Sequence, residues 1–129
     1  MKITVIGAGT MGRGIAQVAA QASHAAVLFD VSSEQLTGAR TAVADSLERR
    51  VAKGKMDAAV RDATLARLQT SDDLDAACAG ADWVIEAVPE KMDLKVEVLG
   101  RAREASAGAI LASNTSSLSI TELGSRLGV

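Results

Sequence analysis

A doubly wound α/β fold with a parallel central sheet is what this sequence predicts, and three observations predict it. Short aliphatic runs alternate with longer amphipathic segments along the chain. The first run, 2–6, passes directly into Gly7-Ala8-Gly9-Thr10-Met11-Gly12 and then into a helix-forming stretch. A second aliphatic run, 25–29, is followed at once by Asp30. A G-x-G-x-x-G loop alone is weak evidence, because glycine is common here. A strand before it, a helix after it and an acid beyond the second strand make it a dinucleotide-binding pattern. The alternative is a glycine turn that binds nothing, and the complete strand–loop–helix–strand–acid context weighs against it.

The remaining elements follow in order. The first strand (2–6) has few polar breaks, as a strand covered on both faces should. A helix is expected over 11–22, with a return turn at Ser23-His24 and a second strand over 25–29. Leu36, Ala39, Val43, Leu47 and Val51 recur every three or four residues, so 33–54 reads as a long amphipathic helix capped by Ser33. Another helix is expected over 57–68, with Asp57 as its cap. Together these two form a long helical insertion between strands two and three. A short third strand (68–70), a brief helix (72–79) and a fourth strand (83–88) ended by Pro89 come next. A helix over 93–107, a fifth strand over 109–112 and a helix from 119 to 127 complete the pattern. The expected strand order is 3-2-1-4-5, in one domain spanning 1–129.

Each loop residue has a physical task. Gly7 lets the chain leave the strand in a tight turn closed to other residues. Gly9 offers no side chain, so the backbone can approach a pyrophosphate, and Gly12 lets the helix sit close on the strand. The amides near Thr10 and Met11, with Ala8 beside them, then face the phosphates at the positive end of the helix. Asp30 is expected to accept hydrogen bonds from the adenosine ribose. Its charge repels a 2′-phosphate, and Val31-Ser32-Ser33 bring no cation, so NAD is favoured over NADP.

Composition narrows the field. The net charge of −2 at pH 7 does not point to nucleic acid. Aromatic residues make up only 2% of the chain, so the core must be aliphatic. Cys78 is the single cysteine and reads as a small buried hydrophobe; nothing around it resembles a metal site. No apolar stretch reaches membrane-spanning length and no signal peptide is evident, so a reducing, cytoplasmic setting is the expectation. Arg49, Arg50, Lys53 and Lys55 cluster at the end of the long helix. Their plain reading is a solvated face that complements the helix dipole. Glu97 and Arg101 read as a helix pair at four-residue spacing, and Met11 and Met92 as packing. Ser119 and Glu122 form a capping box, which leaves Asn114, Thr115 and Ser116 unexplained.

Two further segments carry a resemblance: Ala81-Asp82-Trp83-Val84-Ile85-Glu86-Ala87-Val88-Pro89-Glu90 and Ala112-Ser113-Asn114-Thr115-Ser116-Ser117-Leu118. With the glycine loop, they resemble the NAD-binding (Rossmann) domain of the L-3-hydroxyacyl-CoA dehydrogenase family, over the whole chain. The resemblance implies an enzyme that oxidises L-3-hydroxyacyl-CoA to 3-ketoacyl-CoA, with NAD as cofactor, as in fatty-acid β-oxidation. It puts Glu90 and Lys95 where the family contacts the nicotinamide half of NAD. Ser116 falls on the active-site serine that bonds the substrate oxygen, and Asn114 sits beside it. Ser46 and Lys53 match positions that touch coenzyme A. Topology supports part of this, since the ends of strands four and five meet the ligand crevice of a doubly wound sheet. A hydroxyl and an amide there can donate to a carbonyl oxygen.

The family's base is a histidine held by a glutamate, beyond Val129. The only histidine, His24, falls at the wrong end of the sheet. Relatives more often carry glycine where Ser23 stands, so some turn strain is expected. The family's helical C-terminal domain, which completes the substrate pocket and forms a homodimer, is also absent. The chain is therefore expected to be an N-terminal fragment that binds NAD without turning over substrate. Two alternatives stay open: a non-catalytic NAD-binding module, and a β-hydroxyacid dehydrogenase acting on free acids.

Overall fold

The computed structural model describes residues 1–115 and 118–128. Among them five parallel strands form one sheet: β1 (Lys2–Ile6), β2 (Ala25–Phe29), β3 (Leu68–Ser71), β4 (Trp83–Glu86) and β5 (Ile110–Ser113). Their order is β3-β2-β1-β4-β5, as the alternation of elements predicts. The helices are α1 (Thr10–Gln21), α2 (Ser33–Ala52), α3 (Ala58–Arg67), α4 (Leu74–Cys78), α5 (Met92–Ala105) and α6 (Ile120–Leu127). Both α2 and α3 fall between β2 and β3, so the expected helical insertion is present.

Strand alternation separates two apolar layers. Val5, Ala26 and Leu28 face α1 and α2, against Ala16, Ala20, Leu36, Val43 and Leu47. Ile6, Val27, Phe29 and Val84 face α4 and α5, against Leu74, Cys78 and Ala102. Both sheet faces are thus buried, as parallel strands require. Thr4 is the polar exception in β1, and its hydroxyl donates to the Ala77 carbonyl at 2.6 Å. The sole tryptophan, Trp83, opens β4 half-buried, paired with Ile3 on one side and Ile110 on the other.

Four local expectations need correction. The cap of α2 is Ser32, whose hydroxyl accepts the Gln35 amide at 3.2 Å; Ser33 is already the first helical residue. Asp57 holds the cap position of α3 but makes no side-chain cap bond. Strand β4 ends at Glu86 rather than at residue 88, because the Glu86 carboxylate accepts the Val88 amide at 3.1 Å and draws the backbone out of the ladder. Arg101 reaches Asp75 on α4, at 3.9 Å, in place of Glu97. Ser23 carries the strain its turn predicts, with φ at +72°.

Candidate functional site

A crevice of about 660 Å³ opens at the carboxyl ends of β1, β2 and β4. In a doubly wound sheet that is the ligand position, since the chain crosses to opposite faces on either side of β1. Its floor is the glycine loop, which follows β1 directly. Gly7 has φ +108°, and a Cβ there would lie 2.7 Å from the Ala87 carbonyl oxygen. At Gly12 a Cβ would lie 1.6 Å from the Gly7 carbonyl oxygen, so the helix packs on the loop only because that position is bare. At Gly9 a Cβ would meet no protein atom within 4 Å. Gly9 therefore borders open space, and its bareness leaves the backbone accessible.

Gly9 also stands at the cap position of α1, with no side-chain cap bond and no acidic residue in the helix's first turn. The positive end of this helix is left to an external anion. Thr10 and Met11 line the crevice there. Met11 is 59% exposed, so it is a rim residue and not the packing residue expected of a methionine. Asp30 lines the opposite wall. One carboxylate oxygen accepts the Ala8 amide at 2.9 Å, and the other accepts the Ser32 amide at 2.9 Å. The acid thus ties the glycine loop to the start of α2. A carboxylate has about four lone-pair directions, so both oxygens retain capacity toward a sugar hydroxyl. These features fit a dinucleotide: an open helix terminus, an approachable backbone and an oriented acid.

The other end of the crevice is lined by Val88, Pro89, Glu90 and Asn114. Behind it lies a charged cluster. Lys95 and Glu86 are both fully buried, with Nζ 2.7 and 2.8 Å from the two Glu86 oxygens. Nζ also lies 2.9 Å from Glu90 Oε1 and 3.3 Å from the Val88 carbonyl oxygen. Burial pulls the Lys95 ammonium toward lower pKa, but its bonds to Glu86 and Glu90 outweigh that and hold it above the ordinary lysine value. The Ser113 hydroxyl donates to Glu86, and the Thr115 hydroxyl donates to Glu90. The Asn114 amide donates to the Glu86 carbonyl at 2.9 Å.

The two residues expected at the nicotinamide sit at different depths. Glu90 reaches the crevice, whereas Lys95 sits behind it with its ammonium engaged by protein oxygens. Asn114 lines the crevice; Ser116 lies outside the described residues. Ser46 lines a separate groove between α1 and α2, with Arg13 and Arg49, and accepts a bond from the Gln17 amide at 3.1 Å. Lys53 is exposed at the C-cap of α2 and does not line that groove. Sequence reasoning missed Glu86 as a site residue. Its signal was available, an acid inside an otherwise apolar strand bound for burial. Ser113 and Thr115 gave no such signal. No group of three or more metal-ligating side chains occurs among the described residues.

Comparison with known proteins agrees with this fold. The family model of the 3-hydroxyacyl-CoA dehydrogenase NAD-binding domain matches residues 2–128. The 3-hydroxyadipyl-CoA dehydrogenase of Escherichia coli is 40% identical over 97% of this chain, which spans 26% of that protein. The mitochondrial hydroxyacyl-coenzyme A dehydrogenase of Rattus norvegicus is 41% identical over 94% of this chain, which spans 40% of it. A crystal structure of 3-hydroxybutyryl-CoA dehydrogenase from E. coli superposes with a TM-score of 0.93 at 41% identity, covering 96% of this chain and 26% of that one. The chain thus spans less than half the length of these relatives. NAD is the cofactor of the matched domain, and the chain belongs to the 3-hydroxyacyl-CoA dehydrogenase family as its NAD-binding domain.

Proposed function

We propose that this chain is the cofactor-binding part of an NAD-dependent dehydrogenase that oxidises an L-3-hydroxyacyl-CoA to the 3-ketoacyl-CoA. The observation that carries the reading is one continuous crevice. It runs from an oriented acid, Asp30, past an uncapped helix terminus to Glu90 and Asn114. Main-chain amides at Thr10 and Met11 hold the diphosphate, and Asp30 holds the adenosine ribose. Val31, 85% exposed beside Asp30, offers no charge to a 2′-phosphate. Bound NAD supplies the hydride acceptor. Asn114 and Ser116 donate to the substrate oxygen, and Glu90 orients the nicotinamide half. Ser46 and Lys53 contact the coenzyme A moiety from α2; their seven-residue spacing puts them about 10 Å apart along one helix face.

The two carboxylates that line this crevice are given other tasks, Asp30 at the ribose and Glu90, bonded to Lys95 and Thr115, at the nicotinamide half, so the base that takes the hydroxyl proton is not assigned among the described residues. His24 precedes β2, at the opposite end of the strands. The base, the homodimer contacts and the rest of the acyl-CoA pocket are assigned to parts of a longer parent enzyme. No helix among the described residues is long and apolar enough to cross a membrane, and the cytoplasm is the proposed compartment.

Calorimetric titration tests the cofactor assignment. NAD is expected to bind at least tenfold more tightly than NADP; equal affinities would remove Asp30 from the ribose. Incubation of the chain with acetoacetyl-CoA and NADH is expected to give no turnover. Turnover like that of an intact enzyme would overturn the assignment of the base to another part of the parent.

A further inference from the structure

The buried cluster behind the crevice is more elaborate than a contact residue requires. Glu86 accepts four bonds from three donors: two from Lys95, one from the Ser113 hydroxyl and one from the Val88 amide. Lys95 Nζ has four acceptor oxygens around it, two of Glu86, one of Glu90 and the Val88 carbonyl, which more than occupy the three protons of an ammonium. A ligand oxygen finds no donor left on it. The cluster thus joins two carboxylates to one ammonium, with a formal charge of −1. Only Glu90 is open to the crevice, at 40% side-chain exposure; Glu86 and Lys95 have none.

We propose that the Glu86–Lys95–Glu90 cluster discriminates between the redox states of the bound nicotinamide by charge. The inference rests on the placement of the nicotinamide half beside Glu90. The oxidised ring is cationic and the reduced ring is neutral. A net negative charge at one wall of the crevice, with Glu90 at its surface and Glu86 and Lys95 buried behind it, attracts the first and is indifferent to the second. Glu86 is then a positioning residue. It touches no ligand, but it sets the charge of the group that does and fixes Lys95 beneath Glu90. The cluster favours the oxidised cofactor, which suits release of NADH after oxidation of a hydroxyacyl substrate.

Three ligands and three variants separate charge from structure. NAD⁺, NADH and ADP-ribose are titrated calorimetrically against the chain, with thermal unfolding to confirm folding. Glu86→Gln and Glu90→Gln each bring the cluster charge to zero. Each is expected to weaken NAD⁺ about tenfold and NADH less than threefold, leaving ADP-ribose unchanged. The double variant Glu86→Gln/Lys95→Met removes the geometry but returns the charge to −1, and is expected to recover the wild-type ratio of NAD⁺ to NADH affinity. Equal weakening of both cofactors, or a double variant that stays at the Glu86→Gln ratio, would overturn the proposal. Glu90→Gln, at an exposed position, carries the test if the buried substitutions unfold the chain. Retained ADP-ribose binding with an unmoved ratio defeats this inference alone. Loss of all binding by the unaltered chain defeats the cofactor site with it.

Discussion

Gly9 and Gly12 share a loop and are bare for opposite reasons. A side chain at Gly12 collides with the protein, whereas one at Gly9 enters empty space. Gly12→Ala is therefore expected to destabilise the fold by about 1–3 kcal/mol or more, as overpacking does, seen as a lower urea midpoint. Gly9→Ala is expected to leave that midpoint unchanged while weakening NAD and ADP-ribose alike by at least tenfold in calorimetry. Wild-type affinity in Gly9→Ala would mean that the diphosphate lies elsewhere. Ser23 presents a third backbone case. A non-glycine residue at φ +72° costs about 1–2 kcal/mol, and glycine's extra freedom in the unfolded chain returns about 0.5–1 kcal/mol of that. Ser23→Gly is thus expected to stabilise the chain by roughly 0.5–1 kcal/mol without altering cofactor affinity, since the turn lies far from the crevice. A lower midpoint would show that the left-handed turn is not under strain.

At the level of elements, the two serines that open α2 give a clean contrast. Ser32→Ala removes the bond to the Gln35 amide and is expected to cost about 1 kcal/mol; Ser33→Ala removes no cap and is expected to be near neutral. Equal costs in chemical denaturation would contradict the assigned cap. Sequence reading missed this by one residue because neighbouring serines carry the same capping chemistry, and only backbone direction decides between them. Strands β1 and β2 were legible to the residue, because their aliphatic runs have sharp ends at Gly7 and Asp30. Strand β4 was not, because its end is set by the Glu86 carboxylate turning on its own backbone, a tertiary event hidden in an apolar run. The phosphate loop and Asp30 were legible as a local motif. The Glu86–Lys95–Glu90–Thr115 network was not, since it joins β4, α5 and the chain beyond β5, and spacing says nothing of such meetings. Met11 shows the same limit: an apolar side chain suits the core and a crevice rim alike, and residue type does not decide between them.

Over the whole molecule, two buried groups make stability depend on pH on the alkaline side. Burial pushes the Cys78 thiol up to about 11, so the unfolded chain ionises first, near its ordinary 9.0, and stability falls as pH rises from there to about 11. Lys95 is held above its ordinary value by its two carboxylates despite burial. Its contribution is complete below the ordinary lysine range and is lost as pH climbs through the raised value. Stability is thus expected to be lost progressively above pH 9, and Cys78→Ala is expected to flatten the first part of that decline in denaturant titrations at stepped pH. An unchanged slope would remove the thiol from the account. Lys95→Met alone strands two carboxylates and is expected to cost about 3–5 kcal/mol, much of which Glu86→Gln should restore, because removing both partners leaves less charge unpaired. Trp83 gives the same scaffold an optical consequence. The chain has one indole and no tyrosine. Four residue steps along the chain separate that indole's residue from Ala87 at the crevice, about 13 Å at strand rise. Excitation absorbed by the indole can pass over that span to a dihydropyridine ring, which emits in turn; a pyridinium ring neither accepts that energy nor glows. Occupancy by the spent coenzyme is thereby written into the molecule's own emission spectrum, with no dye attached.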